Sequence, residues 1–236
     1  AREWTERLRD GKNIVHTYVE KPALLKKIGS VAGKKILCIG CGSGDECNEL
    51  KNLGASEVVG VDLSPEFIKI AKESFPALEF HQMDMENLSF ETNSFDIVVS
   101  SLTIHYVPSW QKTLGEIYKV LKPDGRAVIS TNHPIRFGSE IKREKEREIF
   151  LLGYIRYKDP KLVGDVIGDY LNPRRIDDVW FRNKFPVSYY HKPISEMIKE
   201  IRESQFELID FLEPQPESWV KEKDPSFYNI HSKIPL

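Results

Sequence analysis

The chain has 236 residues, 40% of them hydrophobic, and a formal net charge of −2. That length carries one α/β core with an elaboration, and the near-balanced charge excludes the one-sided electrostatic footprint of a nucleic-acid or anionic-membrane binder. No apolar run approaches a membrane span, and the charged opening stretch AREWTERLRDGKN has no secretory apolar region.

Residues 1–34 read as a leader. Trp4, Leu8, Ile14 and Val15 are scattered apolar positions, and Pro22 suits the first turn of a short helix over Ala23–Ile28. Ile36–Ile39 is then a continuous apolar run that predicts a buried parallel strand. It ends in Gly40-Cys41-Gly42-Ser43-Gly44, and a helix over Asp45–Leu53 follows, closed by Gly54. Alternate glycines let the backbone turn sharply and approach a ligand closely, and the helix N-terminus offers free N–H groups. A dinucleotide fingerprint needs G-x-G-x-x-G, whereas Asp45 occupies the third glycine's place and Gly44 comes one residue early. Cys38, Cys41 and Cys47 crowd this loop. Cys38-x-x-Cys41 has no second ligand pair at zinc spacing, so no metal site is expected, and three cysteines fit a reduced, cytoplasmic protein.

Glu57–Val61 predicts a second buried strand with Asp62 just past it. An acid about 20 residues beyond the glycine loop takes ribose hydroxyls in nucleotide folds, though a strand-end acid also serves as a helix cap. Pro65–Phe75 carries Phe67, Ile68, Ala71 and Phe75 at core spacing. Leu78–His81 predicts strand three, leading into Asp84 and Met85. Ser94–Ser101 predicts strand four, and Ser101–Tyr106 then lie at a mouth, because open α/β sheets bind ligands outside the strands' carboxyl ends. Ser109–Leu121 predicts an amphipathic helix, and Leu121-Lys122-Pro123-Asp124-Gly125 turns into strand five over Arg126–Thr131.

Together, the glycine loop, Asp62 and Leu63, the Asp84-Met85 stretch, the region after strand four and the L-K-P-x-G turn resemble the class I S-adenosylmethionine (SAM) methyltransferases, in particular the small-molecule type 11 group. The matched stretches cover residues 35–131. The resemblance implies a Rossmann-like, mostly parallel doubly wound sheet with SAM as cofactor and S-adenosylhomocysteine as product. It implies Gly40, Gly42 and Gly44 at the methionine portion, Asp62 at the ribose, Asp84 and Met85 at the adenine, and Leu63 and Ser101 as further cofactor-binding residues, with Ser101 at the site's mouth. One position departs from the pattern. The family has an acid two residues before the first glycine, to help hold the ammonium of SAM, and this chain has Cys38. Glu20 of the leader, or a loop carbonyl, is a replacement. His16 or Tyr18 of the leader also comes within reach of the cofactor, or simply packs.

Residues 135–192 are too long for an ordinary connection and read as an inserted substrate cap. Within it, Ser139–Phe150 predicts a charged helix with i,i+4 pairing, and Asp169–Leu171, Arg175–Arg182 and Pro186–Tyr190 predict strands, with turns at Asn172-Pro173 and Asn183-Lys184. Its aromatic residues include Phe137, Tyr154, Tyr157, Trp180, Tyr189 and Tyr190. Residues 193–236 return to the core: a helix over Pro193–Gln205, strand six over Phe206–Leu212, and a seventh strand near Ile234-Pro235-Leu236. Residues 35–134 are the cofactor core.

The expected activity is methyl transfer to a small molecule, with no nucleic-acid partner and no membrane span. If the acceptor needs a general base, His133 and His105 are candidates, with His133 preferred, and Arg136, Tyr190 and His191 are candidate substrate contacts. Two rivals remain: a macromolecular methyltransferase and a SAM-binding domain without catalysis. Lys142–Arg147 is balanced by acids and gives no basic stripe, which disfavours a nucleic-acid acceptor.

Overall fold

The computed structural model describes residues 1–144, 147–158, 161, 163–179 and 185–235. Its centre is a five-stranded, wholly parallel sheet. Strands β1 (Lys35–Ile39), β2 (Glu57–Asp62), β3 (Glu79–Gln82), β4 (Phe95–Ser100) and β5 (Leu121–Ile129) lie in the order β3-β2-β1-β4-β5. The order reverses between β1 and β4, and that is where a crevice opens at the strands' carboxyl ends.

Period-2 alternation sends successive β1 residues to opposite faces. Ile36 and Cys38 pack with Leu24, Ile28, Leu50, Ile68 and Ala71. These come from helices α2 (Lys21–Ile28), α3 (Asp45–Asn52) and α4 (Pro65–Ser74). Leu37 and Ile39 pack on the other face with Trp110, Leu114 and Ile117 of α5 (Trp110–Val120) and with Met197. A parallel sheet buried on both faces explains why β1, β2 and β4 read as nearly unbroken apolar runs. The L-K-P-x-G turn is a bulge inside β5. Leu121 pairs with Phe95, Arg126 next pairs with Ile97, and Lys122–Gly125 loop out between them.

The leader is more ordered than its scattered apolar residues suggested. A helix, α1 (Arg2–Arg9), precedes a single π-turn over His16–Glu20. Arg9 Nε donates to Asp45 at 2.9 Å, tying α1 to the start of α3.

The insertion corrects several expectations. The described residues of Ser139–Phe150 form no helix. Strands β6 (Glu140–Arg143) and β7 (Glu148–Leu151) pair antiparallel, with Ile141 opposite Phe150. Its few apolar residues, Ile141, Ile149 and Phe150, cannot form a helical stripe, while a hairpin sets Ile141 against Phe150 and puts Arg143 on Asp178 at 3.0 and 2.8 Å. Asp169–Leu171 is a bend. The strand falls earlier, as β9 (Asp165–Ile167) against β8 (Gly153–Ile155). The expected strand over 175–182 is β10 (Arg174–Val179), paired with β11 (Phe185–His191). Trp180 and the predicted turn at Asn183-Lys184 lie outside the described residues.

Helix α6 (Ile194–Glu203) follows as expected. Phe206–Leu212 forms no strand. Its composition suits a ladder, yet it pairs with no described strand, and Ile209 stays 85% exposed while Asp210 meets Lys27 of α2. No strand occurs at Ile234–Pro235 either, and Leu236 lies outside the described residues. Two short helices, Val220–Lys223 and Pro225–His231, bring Val220 and Phe227 against Tyr18 and Val19 of the leader.

Candidate cofactor and active site

A cavity of about 620 Å³ opens at the crevice between β1 and β4. Gly40–Ser43, Asp62–Ser64, Met83–Glu86 and Ser101–Thr103 line it, all from the carboxyl ends of β1 to β4. The leader adds Trp4, Leu8, Asn13 and His16, and β11 adds Phe185, Pro186 and Val187.

The glycine loop fits a ligand pressed against backbone. Gly40 has φ +65°, and a Cβ there would lie 2.1 Å from Thr103 Cγ2, so a side chain is excluded by packing. Gly42 has φ +51°, and a Cβ there would meet nothing within 4 Å. Its missing side chain therefore leaves open a space that a ligand can fill.

Asp62 has two duties. Its carboxylate accepts from Gly42 N–H at 2.9 Å and from Ser64 N–H at 2.8 Å, bracing the glycine loop and the start of α4. It also lines the cavity, and each carboxylate oxygen keeps a free lone pair. Burial raises its pKa, and the two N–H bonds offset part of that rise. Asp84 accepts from Glu86 N–H at 2.9 Å and faces the same space, with Met85 beside it. Leu63 is 65% exposed at the rim, placed to cover a ligand lying on Asp62. Leu102 sits at φ +48°, an unusual conformation for a leucine, and its N–H donates to Ser130 Oγ at 3.0 Å.

The leader closes this wall through a buried ionic cluster. His16 Nδ1 lies 2.7 Å from Glu20 and Nε2 lies 2.9 Å from Glu46. Burial works against a charged ring, yet the hydrogen bonds to Glu20 and Glu46 outweigh it and push the His16 pKa up to about 9. Burial likewise opposes the Glu46 carboxylate, and the His16 partnership more than compensates, leaving its pKa below the ordinary value. Glu20 accepts from Ser101 Oγ at 2.9 Å and from the Ser130 hydroxyl. So Glu20 is spent on the leader and strand ends, while Glu46, not among the residues singled out from sequence, reaches the cavity. Only its partnership with a histidine 30 positions earlier marks it, and that is invisible in sequence. Cys38 does not face the cavity. It packs with Cys41 and Cys47, and all three are buried free thiols.

The predicted histidines are not among the lining residues. His105 is fully packed against Asn132, and burial with the nearby Arg136 charge pushes its pKa down to about 3. Its neighbour Tyr106 takes the place at the wall, its phenol raised to about 12 by burial and by Asp62. His133 caps the short helix Pro134–Gly138, its Nδ1 accepting from Ile135 N–H at 3.2 Å, and its Nε2 lies 2.6 Å from Glu213. His191 is buried with Nε2 on the Tyr170 carbonyl at 2.8 Å, and Arg136 stacks over Phe150. His191, Arg136 and Tyr190 lie outside the described lining. Their positions after strands four and five put His105 and His133 near the site in sequence, but packing turned their rings elsewhere.

Comparison with known proteins bears on the fold. The methyltransferase domain family of type 11 matches residues 37–129. A crystal structure of an S-adenosylmethionine-dependent methyltransferase from Mesorhizobium loti superposes with a TM-score of 0.75 at 25% identity, covering 92% of this chain and 94% of that one. A protein of Haemophilus influenzae is 25% identical over 90% of this chain and 82% of its own length. The demethylmenaquinone methyltransferase of Lactococcus lactis is 38% identical over 118 residues, and this chain spans about half of it, 47%.

Proposed function

We propose that this chain, an S-adenosylmethionine-dependent methyltransferase of the class I, type 11 group, transfers the methyl group to a small-molecule acceptor. The observation that carries the acceptor class is the cavity itself. Its wall joins the strand-end loops to the leader on one side and to Phe185–Val187 of β11 on another. A concave space walled on these sides suits a small molecule better than a polymer, which needs a long open groove.

In this reading Gly40 and Gly42 cradle the methionine portion of the cofactor, Asp62 with Leu63 holds the ribose, and Asp84 with Met85 holds the adenine, while Gly44, at φ +82° and packed against Phe80 outside the described lining, turns the loop into α3. Ser101 stays at the mouth. The cofactor supplies an electrophilic methyl group on a sulfonium, and the protein's part is positioning and exclusion of water. Residues 135–192 act as the cap, with the β10–β11 hairpin as the part that meets the acceptor. No helix among the described residues is long and apolar enough to cross a membrane. Three free cysteines support a reducing, cytoplasmic setting.

Incubation with methyl-tritiated SAM and a fractionated cell extract tests the reading. Label should enter the fraction below about 1 kDa. Label confined to protein or RNA would overturn it.

A further inference from the structure

The methionine portion of the cofactor carries an α-ammonium, which needs an acceptor once it leaves water. Neither Cys38 nor Glu20 supplies one. Cys38 packs with Cys41 and Cys47 and is not among the described lining residues. Glu20 is not among them either. Its Oε2 is taken by His16 Nδ1 at 2.7 Å, and its Oε1 by the hydroxyls of Ser101 and Ser130. Glu46 differs. It stands in the first turn of α3, just beyond the glycine loop, and its side chain lines the cavity with 17% of its surface open. Burial opposes its charge, but the hydrogen bond from His16 outweighs burial and keeps the carboxylate ionised at neutral pH.

His16 Nε2 holds Glu46 Oε1 at 2.9 Å, which fixes the direction of the carboxylate and leaves lone pairs for another donor. The His16 imidazolium is one cation set between two carboxylates, those of Glu20 and Glu46. Lys21 also acts on Glu46, yet its ammonium is paired with Glu49 at 2.5 Å. The cluster therefore accommodates one more positive charge, and Glu46 is its carboxylate on the cavity side. We propose, resting on the methyltransferase reading above, that Glu46 receives the α-ammonium of SAM and of S-adenosylhomocysteine through a charge-assisted hydrogen bond, in place of an acid at position 38. The second cation of SAM, its sulfonium, joins the methionine chain to the ribose, and in this reading it lies towards Asp62 rather than at Glu46. Glu46 thus grips cofactor and product alike.

Calorimetry on the full chain tests this with SAM, S-adenosylhomocysteine and a deamino analogue of S-adenosylhomocysteine, in which hydrogen replaces the α-amino group. The native chain should prefer S-adenosylhomocysteine over the analogue by at least about tenfold. A smaller preference would overturn the proposal and leave the methyltransferase reading standing, whereas no binding of SAM or S-adenosylhomocysteine would overturn both. Glu46→Gln should weaken SAM and S-adenosylhomocysteine by the same factor, at least about tenfold, and leave the analogue near its native affinity. An equal loss of S-adenosylhomocysteine and the analogue, or no loss of either, would refute the contact. A loss confined to SAM would assign Glu46 to the sulfonium instead. Glu46→Asp keeps the charge but draws it back by one methylene, and it serves if the glutamine variant does not fold. Its preference for S-adenosylhomocysteine over the analogue should fall with the analogue's affinity unchanged, and an undiminished preference would also refute the proposal.

Discussion

His16 Nε2 of the leader lies 2.9 Å from Glu46 Oε1 in the first turn of α3, directly behind the glycine loop. The same ring meets Glu20 at 2.7 Å, so one imidazole separates two buried carboxylates and fastens the leader to the cofactor core. Removing it takes the cationic partner from Glu46 and leaves Glu20 with only the Ser101 and Ser130 hydroxyls. His16→Ala should therefore cost about 3–5 kcal/mol of stability. Urea denaturation measures this, and a protease cut in residues 1–20 of the native variant would report release of the leader. A loss below about 1 kcal/mol would mean that the cluster relaxes into water.

The same cluster sets a pH dependence with a defined sign. The pKa of His16 is raised from 6.5 to about 9, so the folded state binds its proton more tightly than the unfolded chain. The resulting stabilisation, of order 3 kcal/mol, is fully present below pH 6.5 and disappears as pH rises through 9. Glu46 behaves oppositely: its pKa is lowered, so its contribution is present above its ordinary value of 4.5 and fades as pH falls through the folded value. The urea midpoint of the native chain should drop between pH 7 and 10, and the drop should flatten in His16→Gln. A parallel decline in both would assign the loss to other groups.

Asp62→Ala should weaken SAM by about 1–3 kcal/mol if it leaves ribose hydroxyls unpaired. Stability should also fall, because the N–H groups of Gly42 and Ser64 lose their acceptor. Calorimetry on the folded variant separates the two effects. Unchanged affinity would remove Asp62 from the cofactor site and leave it as a brace.

Two glycines of the loop should fail differently. Gly40→Ala drives a Cβ into Thr103 and should destabilise the fold, visible as a lowered Tm. Gly42→Ala meets open space and should fold, losing about 1–2 kcal/mol to its left-handed φ, but should bind SAM at least tenfold more weakly. Tight SAM binding by a folded Gly42→Ala would show that the ligand does not press on the loop there.

His133→Ala discriminates a cap from a base. Its ring closes the N-terminus of Pro134–Gly138 and contacts Glu213, so the expected loss is about 0.5–2 kcal/mol of stability with kcat reduced less than threefold. A fall of 10²–10⁴ in kcat with SAM affinity intact would return it to the chemistry.

The sheet and the cofactor crevice were legible in the chain because their signals are local. Apolar runs at Ile36–Ile39 and Phe95–Ser100 must be buried on both faces, and the glycine spacing at 40, 42 and 44 fixes a backbone conformation regardless of context. Asp62 and Asp84 follow from position, since strand ends in this topology converge on one crevice. What the sequence could not decide was side-chain direction and partnership across long separations. Nothing local tells that His16 reaches Glu46, that His105 turns into the core while Tyr106 faces the cavity, or that Glu20 closes on Ser101. Strand tendency also needs a ladder partner. Phe206–Leu212 has the composition and no described partner, so it stays irregular, while Ser139–Phe150 reads as a helix and instead gives the paired strands Glu140–Arg143 and Glu148–Leu151, because a segment with too few apolar residues for a helical stripe gains more from cross-strand pairing.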